Sequence, residues 1–169
     1  MPTISDAAIV ALAVGAGAAA VIDLRTRRIP NALTATIAAA GLTMAGTGLS
    51  GIPVSASFLG FLVGMLLMLP GHALGATGAG DVKLLAAIGA IVGPTRVVNA
   101  FLVTAVVGGV IALAIAVQRG RLAATVTGTG RLMTAPTGTR REIVEPGAGN
   151  RFCYGPAIAI GSVLAMWMW

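Results

Sequence analysis

The chain alternates long apolar stretches with short segments rich in glycine, proline and charged residues. The apolar stretches predict about six membrane helices, although several are shorter than the roughly 17–25 residues that a straight transmembrane helix needs. They cover residues 7–22, 32–49, 54–69, 82–92, 97–117 and 154–169. The pattern therefore predicts an all-α integral membrane protein, with a single membrane-embedded domain over residues 1–169.

The fourth stretch, residues 82–92, is too short to cross a bilayer alone and follows the glycine-rich segment 71–80. Irregular backbone at membrane depth is tolerated only where protein or a water-filled cavity surrounds it. Two arrangements remain open: the glycine-rich loop enters the membrane, or neighbouring helices shield a half-length fourth helix. Either arrangement places Asp81, at the start of this stretch, away from bulk water.

Composition supports the membrane assignment. Only 9% of the 169 residues are charged and 57% are hydrophobic, whereas a soluble domain carries about 25% charged residues. The mean hydropathy is +0.95. Since arginines follow the first apolar stretch and no basic residue precedes it, a retained helix is favoured over a cleaved signal peptide.

The distribution of basic residues indicates an orientation. If six helices begin outside, all of the 11 Lys and Arg residues except Arg96 face the cytoplasm, together with Asp23 and Asp81. The net charge of +6 thus favours anionic membrane lipids over nucleic acid as a partner. We expect a multi-pass membrane protein whose two aspartates lie at the cytoplasmic face.

The segment over residues 118–152 is polar, basic and rich in glycine, threonine and proline. It shows no hydrophobic period, and this composition is typical of a flexible loop. The predicted orientation places it in the cytoplasm.

Asp23 and Asp81 border the apolar stretches, and they are the strongest candidates for catalytic residues. A carboxylate near hydrocarbon costs roughly 2.5–3.5 kcal/mol, so its presence suggests function. Two carboxyl groups that share a proton can hydrolyse a peptide, with one acting as base and the other as acid. Asp81 stands at the start of a helix, whose dipole favours the charged form, so we expect Asp81 to be the more acidic member.

The sequence contains too few histidine and cysteine residues for a metal-dependent or thiol-dependent active site to be expected. The chain has 1 histidine and 1 cysteine, His72 and Cys153, so neither a histidine-rich nor a thiolate metal site is expected, and no cofactor is predicted. His72 is interpreted as a polar residue at the membrane interface. Lys83 has two open interpretations: contact with lipid headgroups, or assistance to the aspartates or the substrate.

Three motifs, in order along the chain, resemble those of small prepilin peptidases, the GxGD-type aspartic endopeptidases of type IV and Flp/Tad pilus systems. The first is Asp23 followed by Ile29-Pro30-Asn31. The second is Gly78-Ala79-Gly80-Asp81-Val82-Lys83. The third is Tyr154-Gly155-Pro156, at the start of the last apolar stretch.

The resemblance implies that Asp23 and Asp81 are catalytic. It also implies that a short leader is removed from type IV prepilins or pseudopilins at the cytoplasmic membrane face. Motif support or substrate binding would then fall to Pro30, Asn31, Gly78, Gly80, Lys83, Gly155 and Pro156. Larger members also methylate the new N-terminus and carry a cysteine-rich insert after the first helix; this chain has no such insert, which predicts a peptidase-only form.

Two alternatives to a peptidase remain. Acidic residues within a membrane also mark ion paths, so a small proton-coupled transporter is one. A non-catalytic pilus-assembly scaffold with the same fold is the other. A transporter should show acids nearer the midplane and internal duplication, and neither is evident in the sequence.

Overall fold

The structure is a computed structural model that describes residues 4–75, 77–118 and 154–168. These residues form six helices and no strands, as the apolar pattern predicts. The helices are α1 (Asp6–Thr26), α2 (Asn31–Gly46), α3 (Val54–Ala73), α4 (Ala79–Val92), α5 (Pro94–Gln118) and α6 (Gly155–Met168).

Three of these helices are long and apolar enough to cross a membrane: α1, α3 and the part of α5 over Pro94–Ala114. The last helix is also apolar but shorter, and α2 and α4 have 16 and 14 residues. The short fourth helix is confirmed, with one correction to the predicted GxGD loop. Because α4 begins at Ala79, Gly80 and Asp81 belong to its first turn and only Gly78 precedes the helix.

The chain divides into two compact units, one formed by Met1–Gly108 with Cys153–Trp169 and the other by Gly109–Phe152. Of the second unit the structure describes residues 109–118, which form the last part of α5. Apart from Gln118, the predicted flexible loop over residues 118–152 lies outside the described residues. The candidate site belongs to the first unit.

The central helix of the first unit is α4, which packs against α1, α2, α3 and α6. Its residues from Leu84 to Val92 are all buried. A helix that is apolar on every side is typical of such a buried position. This packing supports the second of the two predicted arrangements, in which neighbouring helices shield a short fourth helix.

Glycines allow α3 to approach α4 closely. A Cβ atom on Gly60 would lie 2.1 Å from the carbonyl oxygen of Gly89, and a Cβ on Gly89 would lie 2.1 Å from that of Gly60. Nearby, the hydroxyl of Ser57 donates to the carbonyl of Ala90 at 2.5 Å. Small residues of this kind bring membrane helices together, and here they hold the helix whose first turn carries Asp81.

The ends of the helices assemble the motifs. At one end of the unit, the amide of Ser5, before α1, donates to the carbonyl of Ser50, between α2 and α3, at 3.3 Å. Because α1 runs away from that end, Asp23, near its last turn, lies at the opposite end. The first turns of α2, α4 and α6 meet it there, and all three sequence motifs lie in or beside them.

Candidate active site

Asp23 lies near the C-terminus of α1 and is only 6% exposed. The amide of Gly155, which opens α6, donates to its Oδ2 at 3.0 Å. A Cβ atom on Gly155 would lie 2.8 Å from that oxygen and 2.9 Å from the Cβ of Asp23. Position 155 therefore requires glycine, because a larger residue would displace the carboxylate.

Asp81 lies in the first turn of α4 and is 7% exposed. The amide of Gly78, the residue before the helix, donates to its Oδ2 at 2.9 Å. An acidic side chain that reaches back to the amide preceding its helix satisfies one of the unpaired donors of the helix start. Each aspartate is thus held through one carboxylate oxygen by a glycine amide.

The two carboxyl groups influence each other electrostatically. Asp81 lies ahead of the apolar part of α4 and outside the three membrane-length helices. Burial raises the pKa of Asp81 to about 6, and the charge of Asp23 contributes to this rise to a smaller extent. The hydrogen bond from the Gly78 amide and the charge of His72 act in the opposite direction. The expectation that the helix start would keep Asp81 acidic is therefore wrong, because desolvation outweighs the favourable backbone contact.

The first and second motifs are in direct contact. The Nζ atom of Lys83 donates to Oδ1 of Asn31 at 2.8 Å. A Cβ atom on Gly80 would lie 3.1 Å from the Cβ of Ile29. The absence of a side chain at Gly80 therefore lets Ile29 of the first motif pack closely against the start of α4. Pro30 directly precedes α2, which places Asn31 as the first residue of that helix.

Gly155 and Pro156 form the start of α6. A proline in the first turn of a helix lacks only an amide that would have had no partner within the helix. The contact from Gly155 to Asp23 gives the third motif a structural role that its sequence did not reveal.

Two residues near the site, Tyr154 and His72, were not among the predicted site residues. Tyr154 lies close enough to Asp81 for their charges to interact, and a Cβ atom on Gly108 of α5 would lie 3.2 Å from its ring. His72 lies in the last turn of α3, and its Nδ1 atom is 3.0 Å from the carbonyl oxygen of Thr77. Tyr154 opens the third motif, and His72 is the one histidine of the chain and lies six residues before Gly78, but the sequence pattern assigned neither residue to the site.

Fold and site together define a helical membrane protein with a pair of buried carboxyl groups. Among the described residues, no group of three or more His, Cys, Asp or Glu side chains is arranged to hold a metal ion. The chain belongs to the type IV leader peptidase family, whose model matches residues 10–113 and includes both aspartates. It is therefore a peptidase of the leader peptidase type. No curated protein and no solved structure matched the chain.

Proposed function

We propose that this protein is an aspartic endopeptidase that removes the short leader peptide from type IV prepilins or pseudopilins. Asp23 and Asp81 form its catalytic pair. The protein crosses the inner membrane six times and cleaves at the cytoplasmic face, where its basic residues meet anionic lipids. The substrate's apolar N-terminal helix lies in the membrane beside the site.

The observation that carries this proposal is the pair of buried aspartates, each fixed by a glycine amide from a sequence motif. Acidic side chains are rarely buried without a function or a strong partner. A raised pKa in a group that lies beside a second carboxylate is typical of acid and base catalysis. Membership of a peptidase family supplies the reaction class.

The raised pKa of Asp81 suits it to the role of general acid, and Asp23 then acts as the base. Asp23 removes a proton from water as the water oxygen attacks the scissile carbonyl carbon. Asp81 donates its proton to the carbonyl oxygen, which yields a neutral tetrahedral diol. When the C–N bond breaks, the leaving amine takes the proton held by Asp23, and Asp81 recovers one from a diol hydroxyl.

A peptidase-only form is consistent with the connection between α1 and α2. The first helix ends at Thr26 and the second begins at Asn31, so four residues, 27–30, join them. That connection has no room for a methyl-donor site. We therefore propose that the product keeps an unmodified N-terminal amine.

The test is leader removal in membranes that contain this protein and a candidate prepilin. The Asp23→Asn and Asp81→Asn variants should each abolish cleavage, because asparagine keeps the shape but cannot exchange a proton. Asp6→Asn is the matched control, since Asp6 lies exposed in the first turn of α1, and it should cleave normally. Near-normal cleavage by either the Asp23→Asn or the Asp81→Asn variant would reject the aspartic mechanism. If pilus assembly is also unchanged in that variant, the scaffold alternative is favoured.

A further inference from the structure

Two hydrogen bonds join Thr77, which lies between α3 and α4, to the last turn of α3. The amide of Thr77 donates to the carbonyl of Gly71 at 3.3 Å, and its carbonyl oxygen lies 3.0 Å from Nδ1 of His72. A carbonyl oxygen only accepts hydrogen bonds. The ring nitrogen of His72 must therefore carry a proton and donate it.

The next atoms along the chain lead directly to the candidate site. The carbonyl of Thr77 and the amide of Gly78 belong to one peptide unit, and that amide donates to Oδ2 of Asp81 at 2.9 Å. A peptide unit is planar and almost always trans, so its C=O and N–H bonds point in opposite directions. His72 and Asp81 therefore bind opposite edges of the same rigid plane.

We propose that His72 is a positioning residue that orients Asp81 through the Thr77–Gly78 peptide. A hydrogen bond to the carbonyl oxygen limits rotation of the plane and hence the direction of the Gly78 amide. Hydrogen bonds in a chain also polarise one another, so a donor on the carbonyl strengthens the amide as a donor. This role rests on the proposed function of Asp81. The hydrogen-bonded bridge from His72 through the Thr77–Gly78 peptide to Asp81 does not depend on that function.

The first test reads the bridge without any substrate. The chain contains 1 histidine, so isotope-labelled histidine gives a single pair of ring-nitrogen signals in detergent micelles. In the neutral imidazole, which carries one ring proton, that proton should reside on Nδ1. A proton on Nε2 would overturn the proposal, because Nδ1 would then have nothing to donate.

The second test uses variants that separate the two ring nitrogens. Asparagine places its amide nitrogen where Nδ1 lies, whereas glutamine places it nearer Nε2. His72→Asn should retain kcat, while His72→Gln and His72→Ala should lower it about fivefold, as expected for one lost hydrogen bond, with KM little changed. The Gly78 amide proton should move upfield in the glutamine and alanine variants alone.

Equal activity of all three variants, with an unmoved Gly78 amide signal, would overturn the proposal. Retention by glutamine combined with loss by asparagine would also overturn it. If Asp23→Asn and Asp81→Asn still cleave, the proposed function fails, while the ring-nitrogen and Gly78 amide signals still decide whether His72 holds the peptide. The two failures are therefore distinguishable.

Discussion

Asp23 and Asp81 are held in the same way but by very different parts of the chain. Each accepts a hydrogen bond on Oδ2 from a glycine amide, at 3.0 and 2.9 Å. For Asp81 the donor is three residues earlier, so the local turn at the start of α4 is enough to form the contact. For Asp23 the donor is 132 residues away, so α1 and α6 must pack before the contact exists. The position of Asp81 therefore depends on local structure, whereas the position of Asp23 depends on the packing of α1 against α6.

Among the residues that hold the two aspartates, the largest effect is expected at the long-range contact. Gly155→Ala should reduce cleavage about a hundredfold, since small misplacements of a catalytic group cost that much and the added Cβ would lie 2.8 Å from Oδ2 of Asp23. The measurement is the initial rate of leader removal at matched protein levels. Gly17→Ala is the control, because a Cβ at that position in α1 meets nothing within 4 Å. Similar rates for Gly155→Ala and Gly17→Ala would contradict the close packing of α6 against Asp23.

The local contact predicts a pH effect. In the proposed mechanism Asp81 reacts in its protonated form, and its pKa is raised to about 6. The protonated fraction falls as pH rises through that value, so the rate should decrease on the alkaline side of about pH 6. A rate that is constant from about pH 5 to pH 8, the range that spans this pKa, would contradict the assignment of Asp81 as the acid.

Gly78→Pro removes the donor to Asp81 and keeps an allowed backbone, since φ at this position is -77° and proline fixes φ near −65°. The amide favours the ionised carboxylate, so its loss should raise the pKa and move the alkaline limb to higher pH. The maximal rate should fall about tenfold, as expected for one charge-assisted hydrogen bond. Gly78→Ala keeps the amide and serves as the matched variant. An alkaline limb that stays in place in the proline variant would show that the contact does not tune Asp81.

A smaller effect is expected where the two halves of the site meet. Gly80→Ala would bring a Cβ within 3.1 Å of the Cβ of Ile29, so one of the two elements must shift slightly. We expect a loss of about 1 kcal/mol in the free energy of unfolding, at the low end for overpacking. Unfolding in detergent measures it, and Gly17→Ala should show no such loss. If Gly80→Ala is as stable as the wild type, the first motif does not press against α4 as described.

The smallest effect should come from Lys83 and Asn31. Their side chains form a hydrogen bond of 2.8 Å, but both residues are exposed, and exposed contacts of this kind contribute about 1 kcal/mol or less. Lys83→Met and Asn31→Ala should each reduce cleavage about twofold. The double variant should be no worse than either single one. Fully additive losses would indicate that Lys83 acts on the substrate or on lipid instead of on Asn31.

Much of the fold could be predicted because membrane helices are encoded locally. Every apolar stretch with described residues forms a helix, and Asp23 and Asp81 could be selected because an acid is costly beside hydrocarbon. The sequence also marked Gly155, since an aromatic-glycine-proline element opens the last apolar stretch. It did not indicate that the amide of Gly155 would reach Asp23, because no local rule connects residues so far apart.

Where the sequence prediction was wrong, packing decided the outcome. The helix start at Asp81 favours a low pKa for the carboxyl group, yet burial among α1, α2, α3 and α6 raises the pKa. The sequence likewise left open whether the glycine-rich segment or neighbouring helices would accommodate the short fourth helix. Contact of α3 with α4 through Gly60 and Gly89 shows that neighbouring helices pack closely around the short fourth helix.

The helical class, the family and the two acidic positions can be read from the amino-acid sequence, because hydrophobic period and short motifs are properties of neighbouring residues. The folded structure was needed to show that the amide of Gly155 holds Asp23, that burial raises the pKa of Asp81, and that His72 faces the peptide that holds Asp81. The Gly155 contact and the desolvation of Asp81 depend on packing between helices that are far apart in the chain. The His72 contact is close in sequence, but it depends on how the end of α3 meets the residues before α4.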